Sequence, residues 1–142
     1  VSDPEFKIPS DPKYIRQASD KVLDSLKDLK LDEGILFDVK LSLEEAIINA
    51  IKYGNKFNKE LPVSISYSIG SDRIEITVQD RGKGFNHTDL PDPTSNVNIL
   101  RQGGRGLFLI RNLMDEVKFN DSGNEIKMVK FLKGGEGYGR KG

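Results

Sequence analysis

The chain has 142 residues, 36% hydrophobic and 31% charged, which suits one globular domain with a single core rather than a disordered segment. Lysine plus arginine equals aspartate plus glutamate at 22 each, so no overall basic field points to nucleic acid or an anionic membrane as a partner. The absence of cysteine excludes disulfides and thiolate sites, and a single histidine, His87, leaves zinc sites and Ser-His-Asp triads almost nothing to build on.

Phe6-Lys7-Ile8 alternates apolar and polar and predicts a short strand. Ser10-Asp11-Pro12 reads as a helix start, and Ile15, Ala18, Val22, Leu26 and Leu29 then form one helical stripe. Asp32-Glu33-Gly34 interrupts it. A second helix is expected from about Ile35 to Tyr53, with Leu36, Val39, Leu43, Ala46, Ile47 and Ala50 inward and Gly54-Asn55 as its C-terminal stop. The period then falls to two. Val63, Ile65, Tyr67 and Ile69 alternate with serines, and after Gly70-Ser71-Asp72 the residues Ile74, Ile76 and Val78 alternate with polar ones, a β-hairpin with one apolar face. A polar stretch from Phe85 to Gly103 is long for a loop in so small a domain, and such loops are usually functional. Arg105 to Asp115 reads as a helix, followed by strands near Val117–Asn120 and Glu125–Leu132. This order predicts one domain over 6–132, with flexible ends at 1–5 and 133–142. The expected class is α+β, a two-layer sandwich with helices on one face of a mainly antiparallel, mixed sheet. No apolar run approaches the ~20 residues that span a bilayer, and no secretory signal is visible, so a cytoplasmic protein without a membrane partner is expected.

Three short motifs carry chemistry. Glu45 and Asn49 lie one turn apart on the second helix, with Lys52 continuing the line, so they share a face. Asn49 can offer a neutral oxygen to Mg²⁺, which takes few protein ligands plus phosphate oxygens, and Glu45 can accept a proton from an attacking hydroxyl. The same strip also describes a solvent-facing polar stripe. In Asp80-Arg81-Gly82-Lys83-Gly84 the aspartate shares strand parity with Ile74, Ile76 and Val78, so it ends the apolar face and needs a partner there. An adenine amine is a suitable donor, while an ordinary strand-ending turn is the competing account. Gly103-Gly104-Arg105-Gly106-Leu107 opens a helix and exposes backbone N–H groups suited to phosphate; a plain hinge is its alternative. Neither the Walker pattern nor the Rossmann fingerprint fits it.

Taken in order, the three motifs resemble the GHKL ATPase superfamily, whose members share a Bergerat-type, histidine-kinase-like ATP-binding fold. The likeness is greatest to the small bacterial anti-sigma-factor serine/threonine kinases. It runs from about Phe6 to Leu132 and is most specific at Glu45 to Ala50, Asp80 to Phe85 and Gly103 to Ile110. The resemblance implies that Asn49 ligates Mg²⁺, that Glu45 is the general base, and that Asp80 reads adenine in a pocket shaped by Gly82 and Gly84. It also implies a mobile ATP lid over Phe85 to Gly103 and a phosphate-binding turn at Gly104 and Gly106. Lys52, Phe85, Arg105 and Leu107 complete the expected nucleotide contacts. Tyr53 departs from the pattern, since relatives often carry histidine there.

By the same resemblance the expected activity is transfer of the ATP γ-phosphoryl group to a serine or threonine of an anti-sigma-factor antagonist. Sequestration of a sigma factor and a homodimeric state are implied with it. Two other readings stand beside this one: an ATP-gated binding module without phosphoryl transfer, and an excised histidine-kinase catalytic domain. The second lacks any helix carrying a phosphoacceptor histidine, because His87 falls in the expected lid.

Overall fold

The computed structural model describes residues 4–82 and 104–132. Asp11 accepts the Lys13 N–H at 3.1 Å and starts a 3-10 turn, Pro12–Tyr14, which runs directly into helix α1, Ile15–Asp24. Ala18, Val22 and Leu26 are buried as the stripe requires. Leu29 is not: the α-helix has ended, a second 3-10 turn at Lys27–Leu29 changes the register, and Leu29 stands 45% exposed.

Asp32 begins the second helix rather than merely interrupting the first. Its carboxylate accepts the Gly34 N–H at 3.1 Å and caps α2, Glu33–Asn49. The expected continuation to Tyr53 takes another form, a single π-helical turn over Ala50–Gly54 in which Asn55 N–H reaches back to the Ala50 carbonyl at 2.8 Å. Gly54 does not close the helix by a left-handed conformation. The positive φ values fall instead on Lys56 and Phe57, at 52° and 60°.

Strands β1 (Glu5–Ile8), β2 (Val63–Ile69), β3 (Arg73–Gln79), β4 (Glu116–Phe119) and β5 (Glu125–Phe131) form one five-stranded sheet in the order β1-β2-β3-β5-β4. Every described pairing is antiparallel, so the described sheet has no parallel component. Register follows parity. Phe6 pairs with Ile65, Ile65 with Val78, and Val78 with Ile126, which aligns the apolar side chains on the face that packs under the helices. Helix α3 (Gly104–Leu113) packs beside α2 and contributes Ile110 to the core. The opposite face carries Ser66, Ser68, Glu75, Thr77, Lys118 and Lys127, with a Lys127–Glu75 ion pair at 3.3 Å. Charged side chains also mark both edges: Glu5 and Lys7 on β1, Glu116 and Lys118 on β4.

One lysine lies on the inner face. Lys130 pairs in register with Ile74 and is 6% exposed. Its ammonium donates to Asp38 Oδ2 at 2.9 Å and to the carbonyl of Leu113, the last residue of α3, at 2.7 Å. β5, α2 and the C-terminal end of α3 are therefore joined at one cation, which also suits the negative pole of α3. Truncating Asp38 strands that charge, and an uncompensated buried charge is costly. Asp38→Ala is expected to lower stability by about 2–4 kcal/mol in denaturant titration. Lys130→Met, which keeps the stem and removes the charge, is expected to cost clearly less.

Candidate nucleotide site

The β3 alternation carries through to Asp80, which ends the inner face and is 7% exposed. Its N–H donates to the Asn124 carbonyl at 2.9 Å, and its Oδ1 accepts the Gly82 N–H at 2.8 Å. Burial pushes the carboxyl above its ordinary range, and the Gly82 N–H partly opposes the rise. A second segment crosses directly against this turn. A Cβ on Gly54 would collide with Cγ and Oδ2 of Asp80, and one on Gly82 would collide with the Gly54 carbonyl. Both glycines are thus required by close backbone approach. The sequence reading treats Gly54 as a helix stop; its contact with Asp80 depends on long-range docking that no local pattern announces.

Asn55, buried to 2% exposure, fills the next position. Its Oδ1 accepts the Arg81 N–H at 2.8 Å. Its Nδ2 donates to Ser10 Oγ at 2.8 Å and to the carbonyls of Leu61 and Pro62, each at 3.1 Å. This residue, too, reads in the sequence only as part of a helix ending.

Glu45 and Asn49 meet the glycine turn. A Cβ on Gly106, buried at the start of α3, would lie 2.6 Å from Glu45 Oε1 and 3.2 Å from Asn49 Nδ2. The absence of a side chain at Gly106 is what lets the helix start settle over both residues. Asn49 Nδ2 is buried without a hydrogen-bond partner, so one polar end of this carboxamide is left free for a ligand. The unpaired amide is a donor, suited to a phosphate oxygen, while the oxygen of the same carboxamide, beside the Glu45 carboxylate, is of the type that a magnesium ion takes. Around this centre Arg105 is exposed and Leu107 is half-buried against the core. Lys52 lies within the π-turn, with its ammonium 5.3 Å from the centre of the Tyr53 ring. Gly84 and Phe85, with the whole expected lid, lie outside the described residues.

Comparison with known proteins agrees with this fold. A family model described as the histidine kinase-like ATPase domain matches residues 8–130. The serine-protein kinase RsbW of Staphylococcus epidermidis is 38% identical over 104 residues, covering 68% of this chain and 65% of that protein. RsbW of Oceanobacillus iheyensis is 34% identical over 135 residues, covering 90% of this chain and 85% of that protein. The chain thus spans 65% of the length of the Staphylococcus relative. A crystal structure of RsbU and RsbW domains from Mycobacterium tuberculosis superposes with a TM-score of 0.59 over 92% of this chain and 32% of that one; at 12% identity the likeness is one of fold alone.

The raised Asp80 carboxyl sets a pH signature. A carboxyl that titrates higher in the folded than in the unfolded chain binds its proton more tightly when folded. Its contribution to stability is therefore full at pH below the ordinary carboxylate value and declines as pH rises through the window up to the raised value. Asp80→Asn, which keeps an acceptor for the Gly82 N–H, is expected to be more thermostable than wild type at neutral pH. The difference in thermal unfolding should shrink as pH falls below the ordinary carboxylate range. An equal difference at both pH values would count against the buried charge as its cause.

Proposed function

Because the chain belongs to the histidine kinase-like ATPase domain family, we propose that it is a protein serine/threonine kinase that uses Mg-ATP and acts as an anti-sigma factor. The observation that carries this reading is the convergence of Glu45 and Asn49 on Gly106 at the start of α3. Asp80, buried just after β3, serves as the acceptor for the adenine amine, with Gly82 beside it; Gly84 and Phe85, outside the described residues, belong to the same reading by their place in the motif. The Asn49 carboxamide oxygen would hold the magnesium ion. When bound, that ion supplies charge neutralisation at the transferring phosphoryl group. The N–H groups from Gly104 to Gly106 face the phosphates, Arg105 and Lys52 add positive charge at the rim, and Leu107 backs the turn.

Glu45 supplies the chemistry. The acceptor hydroxyl forms the new oxygen–phosphorus bond as the bond between the γ-phosphorus and the β,γ-bridging oxygen breaks, and its proton passes to the Glu45 carboxylate. Glu45 is half-exposed, which lets it receive a protein hydroxyl from outside and return the proton to water. The names of relatives at 34–38% identity support a serine as acceptor. The partner set that accompanies this reading is an anti-sigma-factor antagonist as substrate, a sigma factor as client, and a second copy of the chain in a homodimer. A cytoplasmic setting goes with it, and no described helix is long and apolar enough to cross a membrane.

Incubation with γ-labelled ATP and antagonist-type proteins of the same organism tests the proposal. Wild type is expected to label a serine or threonine. Glu45→Gln is expected to transfer at least ~100-fold more slowly while binding ATP with little change, as fits loss of a general base. A wild-type protein that binds ATP and labels no antagonist would leave a nucleotide-gated binding module in place of a kinase.

A further inference from the structure

The Asp80 turn offers three successive backbone N–H groups, and each is held differently. Asp80 N–H goes to the Asn124 carbonyl, Gly82 N–H to the carboxylate of Asp80 itself, and Arg81 N–H to the side chain of Asn55. Only the last of these ties the turn to the segment that follows α2. Asn55 is also the most heavily bonded side chain in that region: besides Arg81, it engages Ser10 Oγ and the carbonyls of Leu61 and Pro62. Ser10, fully buried, donates in turn to the Leu61 carbonyl at 2.5 Å. A carboxamide is required for this pattern, since a carboxylate accepts but cannot donate and a hydroxyl has too few donors.

We infer that Asn55 is a positioning residue for base recognition, fixing the Arg81 peptide so that the Asp80 carboxyl is aimed at the purine edge. The inference rests on the reading of Asp80 as the adenine contact. Asn55 does not touch the base. It sets the plane of the peptide that follows Asp80, while Gly54, its neighbour, lies flat against the Asp80 carboxyl. The same π-turn carries the chain from Asn49 to Asn55, so the phosphate end and the base end of the site are six residues apart along one backbone path. Without the Asn55 oxygen the Arg81 N–H loses its partner, the turn relaxes, and the carboxyl loses its direction while the phosphate contacts remain. A loss confined to base recognition follows.

Titration of the full chain with ATP and with GTP reads this directly. Wild type is expected to prefer ATP, and Asp80→Asn to abolish the preference. Asn55→Ala is expected to weaken ATP about tenfold or more, the equivalent of a lost hydrogen bond to a buried group, with GTP affinity little changed, so that the ATP:GTP ratio collapses. Ser10→Ala removes one partner of Asn55 and is expected to shift the ratio in the same direction by a few-fold; it gives the answer if Asn55→Ala does not fold. Reduced thermal stability with an unchanged ATP:GTP ratio, in Asn55→Ala or failing that in Ser10→Ala, overturns the inference and leaves Asn55 a structural residue. A wild type that binds ATP and GTP alike overturns the Asp80 assignment itself, and the inference with it.

Discussion

A carboxylate at the inner end of β3 has lost most of its water, and much of the local architecture exists to accommodate it. Asp80 cannot be met by a cation, because none is paired with it among the described residues, so it is met by backbone. The Gly82 N–H turns back onto it, and the Gly54 backbone lies against it with no side chain between. Those contacts leave the carboxyl under-solvated, as its raised titration range indicates. Keeping a charge in this condition costs the protein stability, which fits the reading of Asp80 as a group that waits for a donor from outside. The π-turn belongs to the same arrangement. One wide turn after Asn49 brings Gly54 and Asn55 to the Asp80 segment, and such turns in α-helices are frequent at functional sites.

The second constraint is the lie of α3 against α2. The two helices run in opposite senses, with Gly106 over Glu45 and Asn49 at one end and Leu113 joined through Lys130 to Asp38 at the other. A single buried ammonium therefore anchors the far end of the helix whose near end meets Glu45 and Asn49 at Gly106. Removing it should loosen α3 without altering Glu45, Asn49 or Gly106 themselves.

The strands were readable because period-2 alternation and register express the same physical fact, burial of one face, and Asp80 was placed correctly by that rule alone. Glu45 and Asn49 followed from helical spacing. What local pattern could not reveal was anything decided by two distant segments meeting. Gly54 has the composition of a helix stop, yet its φ is not left-handed and its purpose lies 26 residues further on, at Asp80. Asn55 has the same history. Lys130 sits in an apolar run and is legible as inward-facing by parity, but its two acceptors come from α2 and α3, which no single stretch of sequence contains. Leu29 fails in the other direction: spacing keeps it on the stripe, while the early end of α1 turns it out to water.

The open face and the edges of the sheet have a consequence of their own. An antiparallel sheet covered by helices on one side only presents two outer strands with unpaired backbone groups, each able to recruit a strand from another molecule. Here β1 exposes Glu5 and Lys7, and β4 exposes Glu116 and Lys118, on strands of four residues each. Short, charged borders make uncontrolled stacking into fibrils unfavourable. Among the described residues, the second face carries Ser66, Ser68, Glu75, Thr77, Lys118 and Lys127, polar positions that tolerate substitution and suit the attachment of probes.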